Sequence, residues 1–292
     1  MTEEGARAMG ERALSLNLGR EELVFLLWLL GVNHIPGLSP RPLGNLTVEQ
    51  AAIVGLTAEH SLRARGLLGT ATDGRLVLDR AVAALLLPCA FPEYSITAIR
   101  RSIAGRGRGL YIHLAGSRVV AHTVPEPAIH RFVALAGRPG AAALLAEFVE
   151  VDTRPMPALT SVTLPETLFR EAQALAARGS DLAPGVLTRA GLDAETAYAL
   201  ASALTAAASF VTVTVTRHAP DTSTHGGVTL LVSTGGFWAL TRAAAPETGE
   251  AMIMARPLAG EAVGELLAEL ALAEQEVPSE TPYDLSLLTG TR

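Results

Sequence analysis

The densest group of side chains able to do chemistry is His218-Ala-Pro-Asp221-Thr-Ser-Thr-His225, two imidazoles and a carboxylate in one short stretch. Such a set can close on Zn²⁺, which takes His nitrogen and Asp oxygen in a tetrahedral shell. The same Asp, Pro, Ser and Thr also make a solvent-exposed turn, and the turn is the preferred reading. A metal-dependent enzyme built on His218 and His225 stays as an alternative. His113 and His122 lie on neighbouring predicted strands either side of Gly116, where a solvated cross-strand pair is expected. Gly105-Arg-Gly-Arg-Gly109 resembles an anion-binding loop, but no Lys-Ser/Thr follows and no helix opens there, so a flexible hairpin loop is favoured.

No Gly-x-Ser-x-Gly elbow, His-Glu-x-x-His, Rossmann fingerprint or Cys-x-x-Cys occurs. Carboxylates such as Glu93, Glu147 and Asp152 show no spacing that pairs them for acid–base work. The sequence therefore names no catalytic residue, no metal site and no cofactor, and a non-enzyme is expected.

The elements that must carry these residues run twice through one series. Ser15–Glu22 reads as the capped start of an apolar helix stopped by Gly31, and Ser161–Thr167 as that of an Ala/Leu-rich helix stopped by Gly179. Arg65-Gly-Leu-Leu68, Asp73-Gly74 and a helix over Leu78–Leu87 are answered by Arg189-Ala-Gly-Leu192, Asp193 and a helix over Glu195–Ala207. Alternating, β-branched strands follow at Tyr94–Arg101 and Phe210–Arg217, then hairpins turning at Gly116-Ser117 and Gly235-Gly236. Ile129–Leu135 and Glu250–Ala255 read as fourth strands, and Ala143–Phe148 and Glu265–Leu270 as closing helices. The expected fold class is α+β, in two pseudo-symmetric halves, each with helices followed by an antiparallel meander and a closing helix. Residues 1–152 form the first half with a winged-helix-like segment, 153–274 the second, and 275–292 a tail that is mobile or bound only through Tyr283–Leu288.

Composition narrows the function. Of 292 residues, 49% are hydrophobic and 18% charged, so the chain folds, and only 4% are aromatic, so stacking platforms for bases or sugars are scarce. The net charge of −6 gives no long-range attraction for phosphate backbones, and no nucleic acid is expected as a partner. The segment Thr47–Leu78 nevertheless has the outline of a winged helix carrying Arg63, Arg65 and Arg75, with Arg80 just beyond; a transcriptional regulator is the other alternative. The single cysteine, Cys89, sits in an apolar run and reads as a small hydrophobe; it fits a reducing, cytoplasmic location. Leu23–Leu30 is far shorter than a membrane span and has acidic residues ahead of it, so neither membrane association nor a signal peptide is expected.

Taken together, the apolar helix ending in glycine, Ser61-Leu-Arg-Ala-Arg-Gly-Leu-Leu68, Asp73-Gly-Arg-Leu-Val-Leu-Asp79, Val82-Ala-Ala-Leu-Leu86 and Phe91-Pro-Glu93 opening a strand resemble the EspG family of ESX (type VII) secretion-associated proteins. The resemblance implies a cytoplasmic, non-catalytic chaperone or adaptor with two pseudo-symmetric α+β halves. It implies helical export-bound partners, PE/PPE-like or WXG-like, held mainly by the C-terminal half, with a homodimer as a further arrangement. Carried over element by element, the partner-binding candidates are Arg217, the loop Asp221, Thr222, Ser223, Thr224 and His225, and Phe237 and Trp238 on the third strand. Trp and Arg are frequent interface anchors.

Overall fold

The structure is a computed structural model and describes residues 14–102, 107–152, 159–219, 222–244, 249–272 and 281–283. In chain order come β1 (Ser15–Gly19), α1 (Arg20–Leu29), α2 (Val48–Ala64), β2 (Leu68–Thr70), β3 (Leu76–Leu78) and α3 (Arg80–Ala90). A meander follows, β4 (Tyr94–Ser102), β5 (Gly107–Ala115), β6 (Arg118–Glu126) and β7 (Ile129–Ala134), closed by α4 (Gly137–Val149). The second series is β8 (Val162–Pro165), α5 (Glu166–Ala176), α6 (Ala183–Arg189) and α7 (Ala194–Thr205). Its meander is β9 (Ala207–His218), β10 (Ser223–Ser233), β11 (Gly236–Ala244) and β12 (Ala251–Leu258), closed by α8 (Gly260–Leu272) and a short β13 (Thr281–Pro282). The fold is α+β, with antiparallel pairing throughout the described registers.

Contacts gather the chain into two compact units. The first comprises residues 1–95 and 110–137, the second 96–109 and 138–292, so the second also draws on β4 and α4. In the first, β1 pairs with β7, β7 with β6 and β6 with β5. The three helices bury one apolar core with these strands, including Leu23, Leu26, Leu62, Leu85, Leu86 and Phe132. Cys89 belongs to that core, where its Sγ donates to Leu85 O at 3.2 Å and burial pushes the thiol pKa up. In the second unit the strand order is β4-β9-β10-β11-β12-β8, and β13 pairs with β11. The α5–α7 bundle packs on one face of these strands through Phe169, Leu187, Leu200, Leu231, Trp238 and Leu240.

Local chemistry explains the boundaries. Thr47 and Gln50 form a reciprocal cap, Gln50 N to Thr47 Oγ1 at 3.2 Å and Thr47 N to Gln50 Oε1 at 2.9 Å, which starts α2. Asp79 and Asp193 cap α3 and α7 by accepting from Ala81 N at 2.8 Å and Thr196 N at 2.9 Å. The expected glycine stops hold: Gly31 and Gly179 take φ of 71° and 66°, and Val32 N to Leu27 O and Ser180 N to Leu175 O close Schellman turns.

Two leaders read as helix caps are strands first. Leu16 and Leu18 in β1 and Val162 and Leu164 in β8 alternate, and each strand pairs with the fourth strand of its meander. Each then places a buried glutamate in the first turn of a helix. Glu22 accepts from Gly19 N, Ser61 Oγ and Arg65 Nη1 at 2.8, 2.7 and 2.6 Å, tying α1 to α2. Glu166 accepts from Arg170 Nε at 2.8 Å and Arg242 Nε at 2.7 Å, tying α5 to β11. Burial raises both carboxyl pKa values, but the hydrogen bonds and guanidiniums outweigh it and hold them below the usual range.

The histidines correct another expectation. His113 and His122 are buried, not solvated, and they are diagonal neighbours, since His113 stands opposite Val120 and Tyr111 opposite His122. The Ile35–Leu38 turn packs on His122, whose Nδ1 lies 3.1 Å from Pro36 O. His122 also stacks on Phe132 at 4.6 Å between ring centres. Of the tail, Thr281–Tyr283 is described and Tyr283 is buried; its ring meets Phe169 edge-on at 5.2 Å, and Thr229 Oγ1 donates to its carbonyl at 2.6 Å.

Candidate functional site

The partner-binding candidates do not converge. β9 continues through His218 and β10 begins at Ser223, so most of the expected loop is strand: Arg217 stands opposite Thr224, and His225 opposite Thr216. This corrects the turn reading, because Thr and Val alternation carries the ladder past the polar residues. Arg217, Thr222, Ser223, Thr224 and His225 are exposed there, and Asp221 lies outside the described residues. Phe237 and Trp238 follow the Ser233–Gly236 turn at the opposite end of β10. At about 3.4 Å per residue, Thr224 and Ser233 are roughly 30 Å apart along the strand.

Phe237 and Trp238 are both buried, at 0% and 1% exposure. Successive strand residues point to opposite faces. Trp238 enters the α5–α7 core, and α8 contacts β11 and β12. Helices cover the strands around these two residues, so neither ring projects as a free anchor.

The second unit does offer a concave surface next to Trp238. A cavity of about 280 Å³ is lined by Tyr198, Ser202 and Ala206 on α7, Ser233 and Gly235 at the β10–β11 turn, and Trp238 at its base. A second, of about 190 Å³, shares Tyr198, Ser202 and Ala206 and extends to Asp181, Pro184 and Thr205. Tyr198 therefore stands as a ridge bordering two hollows, and it is 69% exposed. Its neighbours on α7 are small, Ala197, Ala199, Ala201 and Ser202, which is why the hollows exist. Sequence reading passed over Tyr198; a lone aromatic in an Ala-rich helix is the signal that was there.

Among the described residues no three His, Cys, Asp or Glu side chains come together as a metal site, and burial lowers the pKa of His218. Of the winged-helix arginines, Arg63 is paired with Glu59 at 2.8 Å, Arg65 with Glu22 at 2.6 Å and Arg75 with Asp73 at 2.6 Å. Gly107–Gly109 of the glycine–arginine loop opens β5, and Gly105 and Arg106 lie outside the described residues. Among the described residues no helix is long and apolar enough to cross a membrane.

Compared with known proteins, the chain matches no protein-family model and no curated protein. Its fold does match a solved structure, the Mycobacterium tuberculosis type VII secretion system chaperone EspG5 in complex with a PE25–PPE41 dimer. The match has a TM-score of 0.63 at 19% sequence identity and covers 91% of this chain and 100% of the other. The chain thus has an EspG-like fold, as its sequence motifs suggested.

Proposed function

We propose that this protein is a non-catalytic cytoplasmic chaperone that holds a helical, export-bound protein of the PE/PPE type through its C-terminal half. The observation that carries the reading is the fold, shared over 91% of the chain with a chaperone captured on a PE–PPE dimer. The surface supports it: the Tyr198 ridge and its two hollows suit the tip of a helical hairpin, with an aromatic anchor beside concavities that apolar side chains can fill. Trp238 contributes from the base of the larger hollow, with Phe237 supporting β11 from its other face. Arg217 and Thr222–His225 supply a polar contact at the far end of β10, which a long helical partner can reach.

The test is co-expression with a PE–PPE pair encoded beside a type VII secretion locus, followed by purification through a tag on the partner. Stoichiometric recovery of this chain, reduced about tenfold or more in affinity by Tyr198→Asp, is expected. A chain that stays folded and never co-purifies with such pairs would overturn the reading.

A further inference from the structure

We propose a second docking groove, in the first unit between α1 and α2, that takes an amphipathic helix carrying a basic residue in its first turn. It is separate from the C-terminal surface above and does not depend on it, since every residue lining it precedes residue 60.

The groove encloses about 500 Å³. Its walls are Val24, Phe25 and Trp28 on α1 and Leu56 on α2, and its floor is made of Ala51, Ala52 and Gly55. These α2 residues recur at three- and four-residue spacing, which keeps them on one helix face. The apolar lining remains open to solvent: Trp28 is 69% exposed and Leu56 57%, although Trp28 leans on Phe25 with ring centres 6.1 Å apart. An apolar groove between two helices, edged by exposed aromatic and aliphatic side chains, is the form that helix-in-groove recognition uses. From Ala51 to Glu59 the floor runs about 12 Å, a little over two helical turns, so it accepts apolar side chains at i, i+4 and i+7.

Charge selects the occupant and its direction. Among the described residues, the charged ones lining the groove are Glu21 and Glu59. They share one end, because the helices run antiparallel: Glu22 meets Ser61 at 2.7 Å, while Phe25 packs at the level of Gly55. Each has a flanking arginine from its own helix, Arg20 at 3.1 Å and Arg63 at 2.8 Å, and neither arginine lines the groove. An incoming helix therefore places its N-terminus, with its partial positive charge and an Arg or Lys, at the Glu21–Glu59 end. Its apolar stripe then runs toward Trp28, parallel to α1.

The experiment titrates the full chain with three capped 15-residue peptides. One has Leu at i, i+4 and i+7 with Arg in the first turn, the second replaces that Arg with Glu, and the third scrambles the first. Trp28 emission reports directly, because the other tryptophan, Trp238, is buried. The expected result is a saturable blue shift, with the Arg peptide binding about tenfold tighter than the Glu peptide and the scrambled peptide not binding. Ala52→Phe should abolish binding by filling the floor without adding a tryptophan, and Glu21→Gln with Glu59→Gln should erase the preference while leaving apolar binding. Tyr198→Asp should change nothing, which separates this groove from the chaperone surface.

Binding without charge preference, no saturable shift, or equal binding of the scrambled peptide would overturn the proposal. So would a Trp28 blue shift that follows protein concentration without peptide, together with a dimer by light scattering, since the occupant would then be a second copy of this chain.

Discussion

His130 Nδ1 lies 2.9 Å from His122 Nε2, and the bond has one direction. Pro36 O can only accept, so His122 Nδ1 carries the proton donated to it, and neutral His122 Nε2 accepts from His130. Protonating His122 would reverse this bond, making His122 Nε2 the donor and requiring His130 to carry its proton on Nε2. Burial first, then the neighbouring imidazoles His113 and His130, lower the pKa of His122 to about 3, against the opposing pull of Pro36.

A pH dependence of stability follows. His122 titrates near 6.5 when unfolded and about 3 when folded, so between these values the unfolded chain binds the extra proton. The stabilisation is complete above pH 6.5 and is lost as pH falls toward 3, at up to about 1.4 kcal/mol per pH unit. Urea unfolding at pH 7.5, 6 and 5 should show it, with a flatter profile in His122→Phe. An unchanged midpoint across that range would remove His122 from the account.

The turn over this cluster requires glycine at one position. Gly37 has φ +88°, and a Cβ there would stand 2.5 Å from Tyr111 Cε2 and 2.8 Å from His122 Cε1. Gly37→Ala should destabilise the chain by about 1–3 kcal/mol and lower its thermal midpoint. A neutral substitution would show that the turn is looser than described.

Glu22 joins a cap, a hydroxyl and a guanidinium. Glu22→Ala should cost about 1–3 kcal/mol by removing the acceptor of Ser61 Oγ and Gly19 N and the carboxylate partner of Arg65, which keeps only Asn17 O. A double-mutant cycle with Arg65→Ala measures the coupling, and additive losses would count against it.

Tyr283 closes the core of the second unit. Tyr283→Ala removes its contact with Phe169 and should cost about 3 kcal/mol. A chain ending at Glu280 should lose stability similarly in a urea melt; if it melts like the full chain, the docked tail contributes nothing.

Much of the fold was legible because local signals agreed with it. The glycine stops at Gly31 and Gly179, the alternation of Phe210–Arg217 and the hairpin turn at Gly116 each have one economical backbone solution. β1 and β8 were hidden because short strands that run straight into a helix carry the same residues as a helix cap. His122 is covered by a turn some eighty-five residues away, which no local window contains. Trp238 illustrates the same limit: its type suggested an anchor, but whether a strand residue faces solvent depends on which helices cover the sheet. The hollows beside Tyr198 arise from small neighbours on α7 and from the β10–β11 turn, a juxtaposition made only by folding.

Hydrogen exchange of the chain alone and in complex with a PE–PPE pair tests the central claim most directly. Chaperone binding through the C-terminal half predicts protection of Tyr198–Ala206 and of the Ser233–Gly236 turn, with the first-unit helices unchanged by that partner. Stable binding with no protection in the second unit, or protection confined to α1 and α2, would contradict it.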